Sequence, residues 1–183
     1  MNIIVKPYGS TLCSCRPDTT WERENKDFYS PECVKEVLWT PVVFARVAKA
    51  GKCIGRKFVE RYYDGVGCGM LMYCKAESIS ACVDHTSILP MPLYSPVVMD
   101  EGKEFSVIRD GQAPVTMAAE GNAWRQTLED AICSASQLTS LRIGDFVAVE
   151  QASPAPLASR EEGEVAVKGT FCGNESFNFK IIF

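Results

Sequence analysis

The segment Leu-Thr-Ser-Leu-Arg-Ile-Gly-Asp-Phe-Val-Ala-Val-Glu, from Leu138 to Glu150, predicts a corner between a helix and a strand. Gly144 supplies the backbone angles that such a corner often needs, and the Asp145 side chain can hydrogen-bond its own turn. The four apolar residues after Asp145 predict a short buried strand. The corner is a feature of the scaffold, and the rest of the chain is interpreted outward from it.

The residues before the corner predict the main helix. Asn122 is a favoured helix cap, and apolar residues follow it at the spacing of one buried stripe. The stripe consists of Trp124, Leu128, Ile132, Ala135 and Leu138. Further upstream, Asp110-Gly111 is a strong hairpin signal between predicted strands at 104–109 and 113–118.

Residues 1–40 predict a first strand, a polar loop and a short helix. Met1–Val5 alternates weakly as a strand does, and Cys13–Asp27 is polar and rich in turn residues. Ser30-Pro31-Glu32 has the composition of a helix start, with a hydroxyl cap, a proline at the first helical position and an acid in the first turn. The helix is expected to end before Pro41.

Strands are predicted for much of the chain after this point. Pro41–Val47 is apolar and β-branched, and Tyr62–Tyr73 is a long apolar run that contains Gly65, Gly67 and Gly69. Glycines inside a strand indicate a bulge, or the close approach of another backbone or of a ligand. Further strands are predicted at 146–150, 164–171 and 176–183.

Two segments between the strands are predicted to be irregular. Ile88–Pro96 is interrupted by prolines, which remove hydrogen-bond donors and fix backbone angles, and Ser153–Gly163 is a loop rich in proline and acid. A chain of 183 residues is long enough for one domain with a proper core. Residues 1–183 are therefore predicted to form a single α+β domain, mostly β, with one main helix and one or two short helices.

Composition and charge argue against several classes of function. Hydrophobic residues make up 46% of the chain and charged residues 23%, as in ordinary globular proteins. A net charge of −4 without a basic cluster argues against nucleic-acid binding. No apolar run approaches the roughly 20 residues of a membrane-spanning helix, and Met1–Val5 is too short for a secretory signal. We expect a soluble, cytoplasmic protein.

The nine cysteines are an odd number and cannot all pair within one chain. Cys13 and Cys15 form the one close pair, for which a metal or redox role is the alternative to a structural thiol. No Cys-x-x-Cys occurs, and a single histidine offers little to a zinc site. Most other cysteines have apolar neighbours and are predicted to be reduced structural thiols. These are Cys53, Cys68, Cys74, Cys82, Cys133 and Cys172.

From Pro41 to Phe183 the order of elements resembles the fumarylacetoacetate hydrolase family. The family's aliphatic Pro-x-x-Phe strand corresponds to Pro41–Phe44, and its Leu-x-x-Gly-Asp corner corresponds to Leu141–Asp145. Glu161–Val167 resembles the family's Gly-Asp-x-Val-x-Val element, with Glu164 in place of the aspartate. The resemblance implies a mixed β-sandwich or roll of the family's type over residues 41–183.

The resemblance also implies metal-assisted chemistry on 2-oxo and β-diketo acids. In the family, a Glu-x-Glu pair on one strand and a later aspartate hold a divalent cation, usually magnesium. Aligned on the tyrosine of that strand, Asp64 replaces the first glutamate. Val66, which cannot ligate a metal, stands in place of the second, and Asp84 is the candidate for the third ligand. Asp64 and Asp84 are thus candidate ligands for Mg or Mn.

Three kinds of residue are further candidates for the site. His85 is a candidate general base, Arg61 a candidate carboxylate anchor, and Gly67 and Gly69 candidates to line a substrate cleft. Each also has a structural interpretation. Asp64 begins an Asp-Gly turn, the histidine and arginine suit a solvated surface, and the glycines suit close packing.

Three functional hypotheses follow. The first is a family scaffold with weak or lost catalysis that binds a small 2-oxo or dicarboxylic acid, as a homodimer if the resemblance holds. The second is a working Mg- or Mn-dependent hydrolase, decarboxylase or isomerase whose rearranged site uses Asp64, Asp84 and carboxylates such as Glu60 or Glu77. The third is an unrelated β-rich binding module. The valine at position 66 favours the first.

Overall fold

The computed structural model describes residues 1–101, 103–118 and 123–183. The strands are β1 (Asn2–Lys6), β2 (Ser14–Pro17), β3 (Trp21–Glu22), β4 (Phe28–Tyr29), β5 (Glu36–Val47), β6 (Tyr63–Lys75), β7 (Ile79–Ser80), β8 (Ser87–Ile88), β9 (Glu104–Arg109), β10 (Val115–Ala118), β11 (Phe146–Glu150), β12 (Ala155–Ser159), β13 (Glu164–Phe171) and β14 (Asn174–Ile182). The α-helices are α1 (Pro96–Asp100) and α2 (Ala123–Leu138), and 3-10 helices lie at Asp18–Thr20, Arg56–Arg61 and Arg160–Glu162. The prediction of a mostly-β α+β protein is confirmed.

The larger sheet is rolled. It is ordered β2–β1–β11–β5–β6–β8–β3, with β12 added to β5 and β7 added to β6. Its two edge strands, β2 and β3, are joined only by the turn Asp18–Thr20, so the chain itself brings the edges together. The rings of Trp21 in β3 and Phe146 in β11 have centroids 4.8 Å apart, whereas four strand spacings in a flat sheet amount to about 19 Å. The sheet must therefore curl back on itself.

Arg16 of β2 holds the roll closed. Its side chain is buried, and Nη1 donates to the carbonyl of Met72 in β6 at 3.0 Å and to the carbonyl of Thr86 before β8 at 3.4 Å. The predicted loop at Cys13–Asp27 is therefore wrong, because this segment contains β2, β3 and a buried arginine. The strand β2 forms because it pairs with β1, which lies outside the segment.

Strand β5 replaces the helix predicted at 31–40. The chain makes one turn, in which the amide of Val34 donates to the carbonyl of Pro31 at 3.0 Å, and then enters the strand at Glu36. β5 pairs with β6 on one side, and first with β12 and then with β11 on the other. Pro41 lies where this neighbour changes, so its missing N–H removes no ladder bond. Pairing between distant strands outweighs the local helix-start signal, and the helix prediction is wrong.

Two further predictions need correction. The predicted loop Ser153–Gly163 contains β12, which forms because it pairs with the first residues of β5. Leu138 is 68% exposed because α2 ends there, whereas the rest of the predicted stripe is buried. The predicted cap Asn122 lies outside the described residues.

Among the helices that the structure describes, none is long and apolar enough to cross a membrane.

The two faces of the rolled sheet are buried in different ways. The outer face packs against α2 and against a smaller sheet ordered β10–β9–β13–β14–β4. The inner face is closed by Trp21 and Leu93. Because side chains alternate along a strand, β6 contributes to both cores. The inner core consists of Ile3, Val5, Val42, Phe44, Leu71, Leu89, Phe146 and Ala148.

The predicted corner at Gly144 and Asp145 is confirmed. Gly144 has a φ of 88°, a conformation that favours glycine. The buried Asp145 accepts hydrogen bonds from the backbone amides of Asn2 and Arg142, each at 2.8 Å. One carboxylate thus ties the start of β1 to the start of β11, and these strands then run parallel.

The described cysteines are all free thiols. Cys68 and Cys74 of β6 are buried as predicted, and burial raises the pKa of Cys68 to about 12 and that of Cys74 to about 11. Cys53, Cys82 and Cys172 are exposed, because they lie in connections between the elements and not in strands. Of the six cysteines predicted to be structural thiols, Cys68 and Cys74 are buried, Cys133 is partly buried, and the other three are exposed.

Candidate functional site

Asp64 lies on the surface at the start of β6. Its carboxylate is held by Arg46 of the neighbouring strand β5, whose Nε and Nη2 donate to it at 3.2 and 2.9 Å. The hydrogen bond from Arg46 to Asp64 raises the pKa of that guanidinium. A carboxylate that already faces a guanidinium is a poor starting point for a cation site, because the arginine repels the cation.

Val66 lies in the outer core. Its side chain is 0% exposed, and its backbone exchanges two hydrogen bonds with Tyr94, at 2.9 and 2.8 Å. Val66 corresponds to the second glutamate of the Glu-x-Glu pair. Its side chain is therefore packed among apolar groups, and its backbone is hydrogen-bonded to that of Tyr94. A ligand or a metal would have to displace both.

The inner face of β6 is covered where its glycines lie. A Cβ atom on Gly65 would lie 2.8 Å from Cβ of Leu93, and one on Gly67 would lie 2.7 Å from the ring of Phe44. A Cβ atom on Gly69 would lie 2.3 Å from the carbonyl oxygen of Ile88. The glycines admit neighbouring parts of the chain, and the cavity that Gly67 lines measures about 40 Å³. The role of Gly67 and Gly69 in lining a substrate cleft stays a prediction.

Replacing Gly69 with alanine is expected to lower the free energy of unfolding by about 2–3 kcal/mol, since the new methyl group must push the backbone of β8 away from β6. Gly55 provides the matched control, because its nearest neighbour is 3.9 Å away and its φ is −79°. Gly55→Ala should change stability by less than about 1 kcal/mol. Urea unfolding of both variants checks this, and equal stabilities would contradict the close-packing interpretation.

Asp64 and Asp84 lie near opposite ends of β6. Asp84 belongs to the loop between β7 and β8, which is tied to β6 by the amide of Met72 donating to the carbonyl of Thr86 at 2.7 Å. From Asp64 to Met72 the strand spans about 26 Å, at about 3.3 Å per residue. Within residues 1–101, 103–118 and 123–183, no three His, Cys, Asp or Glu side chains are grouped so as to hold a metal ion. The residues present do not fit the cation that the resemblance implies.

Arg61 ends the 3-10 helix before β6. It is exposed, and its guanidinium lies over the ring of Phe58, 5.5 Å from the centroid. It does not line the cavities around His85. Its role as a carboxylate anchor stays a prediction.

His85 pairs with Glu22 and not with the adjacent Asp84. Nδ1 of His85 lies 2.6 Å from Oε2 of Glu22. The Glu22 side chain is 4% exposed, whereas that of His85 is 55% exposed. Oε1 of Glu22 accepts the backbone amides of Glu24 at 2.6 Å and Lys26 at 3.3 Å. A buried and immobilised carboxylate thus orients an accessible imidazole.

Nothing in the local sequence indicates this pair. Glu22 opens the charged run Glu22–Lys26, which is typical of a solvated loop, and 63 positions separate it from His85. Strand β3 brings Glu22 beside Ile88 of β8, where the two strands run parallel. This pairing places the carboxylate next to the loop that carries the histidine.

His85 lies in a cleft between segments 18–31 and 83–85. The cleft consists of two adjoining cavities of about 430 and 570 Å³, which share Lys26, Asp84 and His85. Arg23 and Glu24 line the more polar cavity, and Phe28, Tyr29 and Val83 line the more apolar one. We call the two together the His85 cleft. Their size suits a small molecule.

Two other polar clusters stabilise the fold. The hydroxyl of Tyr73 donates to Glu150, and that of Tyr63 donates to Glu129 at 2.9 Å. Burial raises the pKa of Tyr73 to about 12 and also raises the pKa of Tyr63. Neither cluster lines the His85 cleft. Each hydroxyl adds a partner to a buried carboxylate, which also accepts a hydrogen bond from Arg56 in the case of Glu129 and from the amide of Tyr8 in the case of Glu150.

No family model matches the chain, and no curated protein matches it. Solved structures do match. A protein from Yersinia pestis CO92 assigned to the fumarylacetoacetate hydrolase family superposes with a TM-score of 0.77 at 14% identity, over 99% of this chain and 92% of that one. Maleylpyruvate hydrolase from Sphingobium sp. SYK-6, in complex with manganese(II) and pyruvate, gives 0.76 at 13% identity, over 99% and 70%. Fumarylpyruvate hydrolase from Pseudomonas aeruginosa, in complex with Mn²⁺ and pyruvate, gives 0.72 at 13% identity, over 100% and 90%.

The chain therefore has the fold of fumarylacetoacetate hydrolase family proteins. The resemblance inferred from the sequence is confirmed at the level of the fold. The match extends over nearly the whole chain, including the N-terminal segment that the sequence resemblance left out. Because one fold can carry several activities, the function has to be argued from the site.

Proposed function

We propose that this protein binds a small 2-oxo or dicarboxylic acid in the His85 cleft, with weak or lost metal-dependent catalysis. One observation carries the proposal. The candidate ligands Asp64 and Asp84 are separated along β6, and Val66 belongs to the core. Without a group of carboxylates, a divalent cation has no set of oxygen ligands to bridge to a substrate.

Arg23 is the residue to which we assign the carboxylate of the ligand. Its guanidinium lies over the ring of Trp21, 4.2 Å from the centroid, and lines the polar cavity of the His85 cleft. In the described part of the chain it forms no ion pair, whereas Lys26 is paired with Glu24. A guanidinium can donate two parallel hydrogen bonds to a carboxylate.

Charge near the cleft opposes tight binding of an anion. Asp18 and Asp84 are exposed and line the polar cavity together with Glu22 and Glu24. Glu22 is already hydrogen-bonded to His85, and Glu24 already forms an ion pair with Lys26. The two aspartates weaken the attraction of the cleft for a dianion more than for a monoanion. We therefore expect pyruvate to bind better than oxalate.

Thermal melts with added acid and metal test the proposal. Pyruvate should raise the melting temperature, because a ligand that binds only the native state stabilises it, by about 2.7 kcal/mol at a hundredfold excess over the dissociation constant. The rise should be the same in EDTA, Mg²⁺ and Mn²⁺, because no metal takes part in the proposed binding. Arg23→Met should abolish the rise. Arg142→Met, which alters an exposed arginine outside the cleft, is the matched control and should retain it. Arg61→Met tests the anchor predicted from the sequence.

The same melts distinguish acid binding without metal from the competing hypothesis of a rearranged metal site. A rise that requires Mg²⁺ or Mn²⁺ and grows with pyruvate would favour a rearranged metal site that draws on Asp64, Asp84, Glu60 or Glu77. No rise with any acid under any condition would overturn acid binding.

We also propose that the protein is a homodimer, as the resemblance implies. Light scattering on the purified chain, whose mass is 20.2 kDa, measures this directly. A mass of twice that value supports the dimer, and the monomer mass would contradict it.

A further inference from the structure

We infer that the end of the rolled sheet opposite the His85 cleft binds the surface of a lipid bilayer that contains anionic lipids. This inference goes beyond acid binding, because it concerns a surface outside the cleft and uses neither Arg23 nor His85. It can hold or fail whether or not pyruvate binds.

The surface consists of two segments that the fold joins, residues 47–62 and 138–144. The amide of Gly51 donates to the carbonyl of Leu141 at 3.0 Å, and the amide of Leu141 donates to the carbonyl of Gly51 at 2.8 Å. The segments meet where β5 ends and where β6 and β11 begin. We call the exposed surface of these two segments the basic end.

The basic end concentrates positive charge on an acidic protein. Six exposed cations lie in it, and Glu60 is the one acid of the two segments except for their neighbours in the fold. The six cations are Lys49, Lys52, Arg56, Lys57, Arg61 and Arg142. The segments therefore carry a net charge of +5, whereas the whole chain carries −4. The expectation that the chain lacks a basic cluster does not hold for this end of the molecule.

The acids that border the basic end are already bound to arginines. Asp64 is paired with Arg46 at 2.9 Å. Arg56 is paired with both Glu129 and Asp130, at 2.5 and 3.4 Å. The other five cations form no ion pair within the part of the chain that the structure describes, so their charge is available to an anionic partner.

Apolar side chains stand among these cations. Leu138 is 68% exposed, Ile143 is 72% exposed and Phe58 is 47% exposed. On an anionic bilayer the cations would meet the lipid headgroups, and the apolar side chains would enter the boundary of the acyl chains. A nucleic acid is held by phosphate contacts and by stacking on aromatic rings, and it would leave the aliphatic Leu138 and Ile143 without partners. The exposed aliphatic groups therefore favour lipid.

The charge distribution also selects an orientation. The remainder of the chain is acidic and is repelled by the same lipids, so the basic end faces the bilayer. The basic end lies at the start of β6, whereas the loop that carries His85 is tied to β6 near its other end. A protein attached in this way presents the His85 cleft to solvent, so attachment and acid binding do not exclude each other.

Cosedimentation with lipid vesicles tests the inference. The purified chain should sediment with vesicles of equal parts phosphatidylserine and phosphatidylcholine, and should stay in the supernatant with phosphatidylcholine alone. Sodium chloride should release it, because the screening length falls to about 3 Å at 1 M. Equal sedimentation with both kinds of vesicle would overturn the inference.

A triple variant assigns the binding to the basic end. Lys52→Gln, Lys57→Gln and Arg142→Gln together should weaken partitioning by more than about 100-fold, because each basic residue near an anionic membrane contributes roughly fivefold. The matched control makes the same change in net charge at three exposed lysines elsewhere, Lys35→Gln, Lys168→Gln and Lys180→Gln, and should retain binding. Sedimentation of the first variant like the wild type would overturn the inference.

Ile143→Asn tests the apolar part of the surface. It should weaken partitioning by about tenfold, because the burial of one aliphatic side chain is lost while the charge is unchanged. Circular dichroism confirms that each variant is folded. Binding to polyuridylate without binding to anionic vesicles would assign the surface to nucleic acid and overturn the inference. The pyruvate-dependent melt of the Arg23 variant reports separately on acid binding.

Discussion

Replacing Val66 with glutamate is expected to lower the free energy of unfolding by more than about 4 kcal/mol, and not to restore a metal ligand. Val66 is 0% exposed in a core of apolar side chains. A carboxylate at this position would lose its hydration, and Arg46, the cation nearest in the register, is already bound to Asp64. Urea unfolding and near-ultraviolet circular dichroism measure the loss. Domain stabilities are typically about 5–15 kcal/mol, so such a variant would be close to unfolded.

Two variants isolate the cause. Val66→Ala removes the packing without burying a charge, and Asp64→Glu adds length to a carboxylate that is exposed. Asp64→Glu should change stability by less than about 0.5 kcal/mol, and Val66→Ala should cost clearly less than Val66→Glu. A Val66→Glu protein that is as stable as the wild type and binds Mn²⁺ would refute the assignment of this position to the core.

The strands with strong local patterns could be predicted from the sequence. Pro41–Val47, Tyr62–Tyr73 and 146–150 combine apolar or β-branched residues with turn signals at their ends, and each lies within an observed strand or overlaps it closely. The corner at Gly144 and Asp145 was also predictable, because its glycine requirement and its capping carboxylate are local. Interactions between residues close in the sequence determine these elements, so they can be predicted from the local sequence.

Elements that depend on distant partners could not be predicted. Ser30-Pro31-Glu32 carries a helix-start signal, yet the following residues form β5 because β6 and β12 are available to pair with them. The sequence alone shows a valine at position 66, where the resemblance implies the second metal ligand. The partner of His85 could not be predicted, because Glu22 lies beside it through contacts between distant segments, including the pairing of β3 with β8.

Arg16 is the clearest example of a residue whose environment could not be predicted from the local sequence. In the sequence it is one charged residue in a polar stretch, with nothing to mark it as buried. It is buried because the larger sheet closes, and the sheet closes partly because Arg16 bonds to carbonyl groups of Met72 and Thr86 across the seam. Since β2 leads directly into β3 and Glu22, this closure also positions one wall of the His85 cleft. The candidate site therefore depends on the global closure of the fold.

Replacing Asp145 with alanine is expected to destabilise the protein by about 3–5 kcal/mol, because each hydrogen bond to a charged group contributes about 1.5–3 kcal/mol. The carboxylate is 0% exposed and accepts the amides of Asn2 and Arg142. Alanine would leave both amides without a partner and free the start of β1 from the start of β11. Urea unfolding measures the loss, and hydrogen exchange at the two amides should become faster than in the wild type.

Asp145→Asn and Ile143→Ala complete this test. Asparagine keeps one acceptor oxygen, so it should retain one of the two hydrogen bonds and cost about half as much as alanine. Ile143 is 72% exposed in the same corner, and its replacement should change stability by less than about 0.5 kcal/mol. If Asp145→Ala were no more destabilising than Ile143→Ala, the corner would not depend on its carboxylate. The order alanine, asparagine, wild type in increasing stability would instead show that one buried side chain joins the first strand of the roll to the segment that decides the fold.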